Sequence, residues 1–176
     1  MGLLNEGPDL SVQIEGPAEG KSGEGLAFKV SVTNNGTKTA TSVRIEVSDH
    51  PRLTYANAQY NGQPIREGRF GPLFGAGSLV FTGDKGITTD IPAGQTSVLA
   101  FTAVAAPVAD SVVEQAVDAI VGDVIASPEF MAQVRKDAEK EGERVAHTVS
   151  LHTSVNEYPS DPNIKNNFAS YSLYVA

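Results

Sequence analysis

The feature that most constrains this chain is an alternation of apolar and polar residues with a period of two. In LAFKVSVTN, Leu26, Phe28, Val30 and Val32 are set against Ala27, Lys29, Ser31 and Thr33. Successive side chains of a strand point to opposite faces, so such a run has one oily and one wet side. The pattern returns in LSVQI with Leu10, Val12 and Ile14, in SVRIEV with Val43, Ile45 and Val47, and in AHTVSLHTSV with Val149, Leu151 and Val155. TSVLAFTAVA, residues 96 to 105, is apolar on both parities, as a central strand is, and the last run puts Ala169, Tyr171, Leu173 and Val175 on one face. Six or seven such segments, separated by Gly, Pro and Asn turns, predict a mainly β chain folded as an antiparallel sandwich.

One stretch departs from this pattern. From Asp110 to Ala126 the apolar residues, among them Val113, Val117, Ile120 and Val124, recur at helical spacing. Ser127 then offers an N-cap, Pro128 the favoured first helical position and Glu129 a first-turn acid, with Gly142 expected just past the end of EFMAQVRKDAEKE. The spacing predicts a helical hairpin over residues 105 to 144, inserted between two late strands of a single domain, 1 to 176. Gly122 weakens the first helix by ~1 kcal/mol relative to Ala. The apolar stripe needs a cover, either its own sandwich, its hairpin partner or another protein. RKDAEKEGER reads as a solvated charged end.

Composition closes several routes to function. Acidic residues outnumber basic ones, 21 to 13, for a net charge of −8. A nucleic-acid backbone is therefore repelled, and no nucleic-acid partner is expected. Cysteine is absent, which removes disulfides, thiolate nucleophiles and Cys-based zinc sites. No run reaches the ~18 to 20 apolar residues that cross a bilayer, so no membrane insertion is expected. MGLLNEGPDL has neither the basic start nor the apolar length of a signal peptide, leaving a cytoplasmic chain or an excised mature segment as the alternatives.

The motifs that could carry chemistry are weak. GPAEGKS has three residues where a phosphate-binding loop has four before its Gly-Lys pair, and a strand follows instead of a helix. His147 and His152 are five apart, an odd separation that puts them on opposite faces of one strand, and His50 lies far from both in sequence. No acid, base and nucleophile combination stands out, so the expectation is no enzyme, no catalytic residue and no cofactor. In DPNIKNN, Asp161, Asn163 and Asn167 are candidate calcium ligands, but Lys165 interrupts them and no Glu completes the set. Tyr55, Tyr60, Phe70, Phe74 and Tyr158 could build a sugar-stacking platform, or serve as packing residues.

Taken together, PDLSVQIEG, VSVTNNGTKTATSVRIEV, LTY, IPAGQTSVLAF and DPNIKNNFASYSLYV resemble the CARDB-like group of immunoglobulin-type modules, repeats of bacterial and archaeal surface proteins that resemble cell-adhesion domains. Residues 105 to 144 depart from that family's pattern. The resemblance implies an immunoglobulin-like β-sandwich in which NNGT is an arch between sheets. Asn34 and Asn35 would then bond local backbone while Gly36 supplies positive φ; a two-residue type I′ hairpin is the alternative. It also implies an extracellular or cell-surface, non-enzymatic module for adhesion, spacing or assembly, with a protein partner or neighbouring domains. A carbohydrate-binding or small-ligand-binding module, or a self-assembling virion or filament subunit, is the alternative. If the sidedness is read correctly, Phe28→Ala costs ~3 to 5 kcal/mol in urea unfolding while Lys29→Ala stays within ~0.5 kcal/mol. A large loss at Lys29 with none at Phe28 would mean that the faces are reversed.

Overall fold

The alternating runs are strands, and their oily faces meet. In a computed structural model the described residues are 7–48, 50–65, 67–70, 78–81, 89–122, 127–158 and 166–176, with 67–70, 78–81 and 156–158 described by backbone alone. Strand β3 (Gly25–Asn34) buries Leu26, Phe28, Val30, Val32 and Asn34 and turns Lys29 to solvent. β1 (Leu10–Glu15) pairs with it on one side and β10 (Thr96–Ala105) on the other. β5 (Leu53–Tyr60) and β6 (Gln63–Pro64) complete a five-stranded sheet in the order β1-β3-β10-β5-β6. β10 is central, which is why both of its parities are apolar.

Among the described residues the second sheet has seven strands. Its main path is β2 (Glu19–Gly20), β12 (Phe168–Val175), β11 (Thr148–Tyr158), β4 (Ala40–Val47), β8 (Ser78–Phe81) and β7 (Glu67–Phe70), and β9 (Thr89–Ile91) pairs with β4. One strand serves two neighbours because Ser42, at φ 55°, shifts the register between Ala40 and Val43. β9 then pairs with the first half of β4 and β8 with the second. The architecture is the expected immunoglobulin-like sandwich.

Four aromatic rings cross the interior from one sheet to the other. Tyr55 meets Phe101 edge-on at 5.4 Å, Phe101 stacks on Phe28 at 5.6 Å, and Phe28 meets Tyr171 of the opposite sheet edge-on at 6.1 Å. Stacked and edge-on pairs at these spacings are favourable beyond the area they bury. The Tyr171 hydroxyl, 2.7 and 2.8 Å from the carbonyls of Gly16 and Pro17, fixes the segment that leaves β1 for the second sheet.

NNGT is an arch, since β3 and β4 lie in different sheets. Its chemistry differs from the sequence expectation: Gly36 is not among the residues with positive φ, and Asn35 Nδ2 donates to Ser11 Oγ at 3.1 Å instead of to local backbone. Glycine is needed there for space: a Cβ would lie 2.7 Å from the Asp9 nitrogen. The chain's other Asn-Gly pair does form the tight hairpin, between β5 and β6, with φ of 49° at Asn61 and 82° at Gly62, the two positive values a type I′ turn requires.

Asn34 is fully buried, and its amide binds far beyond its own turn. Oδ1 accepts from the N–H of Asp9 at 3.2 Å and of Gly36 at 3.0 Å. Nδ2 donates to the carbonyls of Lys38 at 2.8 Å and Ile91 at 2.9 Å. Asn34→Ala strips partners from these backbone groups, at about 1 to 3 kcal/mol for each one left buried and unpaired. Urea unfolding is expected to show that loss with an unchanged slope; a midpoint equal to wild type would mean that water replaces the amide without cost.

Candidate functional site in the helical insertion

The insertion consists of α1 (Asp110–Val121) and α2 (Pro128–His147), between β10 and β11. Ser127 caps α2 as expected, its Oγ accepting from the Phe130 N–H at 3.4 Å, with Pro128 and Glu129 in the first turn. The C-terminal end differs. α2 does not stop before Gly142 but runs to His147 and passes directly into β11, where the Thr148 hydroxyl donates to the Arg144 carbonyl at 2.6 Å.

Gly142 has another task. It is buried at the crossing of the two helices, where a Cβ would lie 2.6 Å from Val117 Cγ2 and 3.0 Å from the Val117 nitrogen. Val117 and Ala138 are buried with it. The hairpin partner therefore covers the middle of the apolar stripe, around Val117. The insertion reaches the sandwich mainly through α2 and β12, where the His147 ring stacks on Tyr174 at 5.3 Å.

Arg52 fastens this base. Its Nε donates to Ala106 O at 2.9 Å, one terminal nitrogen to His147 O at 3.3 Å and the other to Val175 O at 3.2 Å. The ends of β10, α2 and β12 are thus held by one planar fork, whose five fixed donors suit such convergence. Burial draws the Arg52 pKa below its ordinary value, and Tyr174 opposes the shift. The three carbonyls stand in for lost water.

The hairpin still leaves apolar surface bare. Phe130 is 56% exposed, Val145 47%, Val112 45% and Ile120 43%. Exposed ion pairs share the two helices with them: Arg135 sits 3.7 Å from Asp118 and 3.8 Å from Glu139, and Arg144 binds Glu141. Arg144 holds the Glu141 carboxyl below its usual range. Pairs this exposed stabilise a helix little.

Of the sequence candidates on the insertion, Val113 is half-buried, Val117 is buried in the helix crossing, Ile120 is exposed, and Val124 lies outside the described residues. The aromatic platform is not assembled among the described side chains. Tyr55 is buried in the core with its hydroxyl on Ser48 O at 2.9 Å, so no ring face is free for a sugar. Tyr60 packs against the core and donates to Ser97 Oγ at 2.7 Å. Phe74 and the side chains of Phe70 and Tyr158 lie outside the description. Asn167 is buried with its carbonyl accepting from Val155 N at 3.1 Å, while Asp161 and Asn163 also fall outside it. Each histidine has a separate partner: His50 accepts from Arg52 N, His147 Nδ1 meets Glu143 O, and His152 Nδ1 meets Ser170 Oγ. Among the described residues no three His, Asp or Glu converge on a metal position. Sequence reasoning missed Arg52 and the buried role of Gly142, since neither contact has a local signature.

No protein-family model matches the sequence, and neither does any curated protein sequence. Among solved structures, the CARDB domain of a Pyrococcus furiosus protein, in complex with di-metal ions, aligns over 100% of this chain and 95% of its own, with a TM-score of 0.52 at 15% identity. The chain has the fold of a CARDB domain. A cohesin module of a Clostridium perfringens family 33 glycoside hydrolase aligns with a TM-score of 0.48 at 9% identity, covering 96% of this chain and 98% of that one. An immunoglobulin-like protein from Nocardia farcinica gives 0.44 at 13% identity, covering 93% of this chain and 97% of its own.

On this CARDB-like fold the helix crossing makes a sharp prediction. Gly142→Ala raises helix propensity by ~1 kcal/mol, but overpacking against Val117 costs ~1 to 3 kcal/mol. The hairpin is expected to lose stability, seen as faster amide exchange in α1 and α2 with the sandwich unchanged, and Val117→Ala in the same chain recovers part of the loss. A more protected hairpin in Gly142→Ala would contradict the crossing.

Proposed function

We propose that this chain is a non-enzymatic immunoglobulin-like module of a secreted or cell-surface protein, serving adhesion, spacing or assembly through protein–protein contacts. The observation that carries the reading is the exposure of Val112, Ile120, Phe130 and Val145 on a hairpin that packs on itself and is pinned to a sandwich by Arg52. Exposed apolar groups rimmed by charge are the usual composition of an interaction surface, where isolated ones need no explanation. Here four of them share one projecting element.

The CARDB-like fold adds support by analogy, because immunoglobulin-type sandwiches serve widely as mounts for variable segments. The rigid body positions and the insertion contacts. A photo-crosslinking residue at position 130, introduced in the producing organism, is expected to give a discrete protein adduct that the same residue at Lys29 does not. Equal labelling from the two positions would sink the reading. Light scattering of the purified chain assigns the partner: a monomer points to a different protein, and a concentration-dependent oligomer lost in Phe130→Asp points to assembly from copies of this chain.

A further inference from the structure

The outward face of β4, β11 and β12 is rich in hydroxyls. Ser150 and Ser172 Oγ lie 2.8 Å apart, and His152 Nδ1 lies 2.8 Å from Ser170 Oγ. Phe168 breaks the pattern. It stands opposite Ser154 in the β11–β12 ladder, and it is 63% exposed, more than any other large apolar residue described. Beside it opens a depression of about 250 Å³ lined in part by Glu46, Ser48, His152, Ser154, Phe168 and Ser170. Sites for drug-sized ligands are usually ~300 to 1,000 Å³, so this one suits a single ring.

Charge selects the ligand class. The Glu46 carboxylate lies 3.1 Å from Arg44 Nε on the same strand, so its charge is neutralised locally. A free cation or anion gains little there. A neutral polyol gains more, because its hydroxyls donate to the carboxylate and exchange bonds with Ser154 and His152, while its C–H face lies on an aromatic ring. We infer that this depression is a subsite for one ring of a neutral saccharide, seated on Phe168 with hydroxyls toward Glu46, His152 and Ser154. It is independent of the hairpin.

A neutral-glycan array followed by calorimetric titration tests the assignment. A shallow one-ring site gives roughly millimolar affinity. Phe168→Ser is expected to weaken binding about tenfold, and Glu46→Gln, which keeps the shape, about fivefold. The melting temperature of Phe168→Ser stays at the wild-type value because the ring is exposed, and Phe130→Ser in the hairpin leaves affinity unchanged. The assignment is overturned by an array without neutral-glycan binding, by equal affinity in Phe168→Ser, by loss in Phe130→Ser, or by binding restricted to charged glycans or basic peptides.

Discussion

The sandwich depends on its strands keeping register, and one buried amide guards that register where three segments converge. A slip of one residue in β3 would turn Leu26, Phe28, Val30 and Val32 to solvent and bring Lys29 inside. Asn34 ends β3 and holds the start of β1, the arch and β9 through four hydrogen bonds. A displaced strand would leave those groups buried without partners. Polar burial of this kind adds little net stability but makes the wrong alignment costly.

The insertion obeys a different logic. Its helices meet at Gly142 and Val117, so their association owes little to the strands below. What ties them down is polar and local: Arg52 binds carbonyls at the ends of β10, α2 and β12, and His147 stacks on Tyr174. Val112, Ile120, Phe130 and Val145 remain exposed on the hairpin while the sandwich core below is closed.

Much of the fold was legible in the sequence because period two is a local record of a global choice. Strands β1, β3, β4, β10, β11 and β12 and the Ser127 cap all follow from residues near one another in the chain, whereas the sheet-to-sheet arch is implied only by the family resemblance. What escaped depends on distant partners. Gly142 looked like a helix stop because glycine usually is one, yet its missing Cβ serves a residue on another helix. The two Asn-Gly pairs are alike in sequence, and only the sheet assignment of the flanking strands separates the arch at 35 to 36 from the hairpin at 61 to 62. Tyr55 could be a surface or a core aromatic until β5 was placed beside β10. Phe168 sits on the wet parity of its strand, where an aromatic carries no periodic signal.

α2 runs into β11 without an intervening loop. A helix of 20 residues is about 30 Å long, so its far end acts as a lever whose fulcrum is the start of an interior strand. A pull on the tip is delivered directly to the first residues of that strand, which the ladders with β12 and β4 hold in place. A connection through a loose linker would instead let the hairpin swing freely and take no strain.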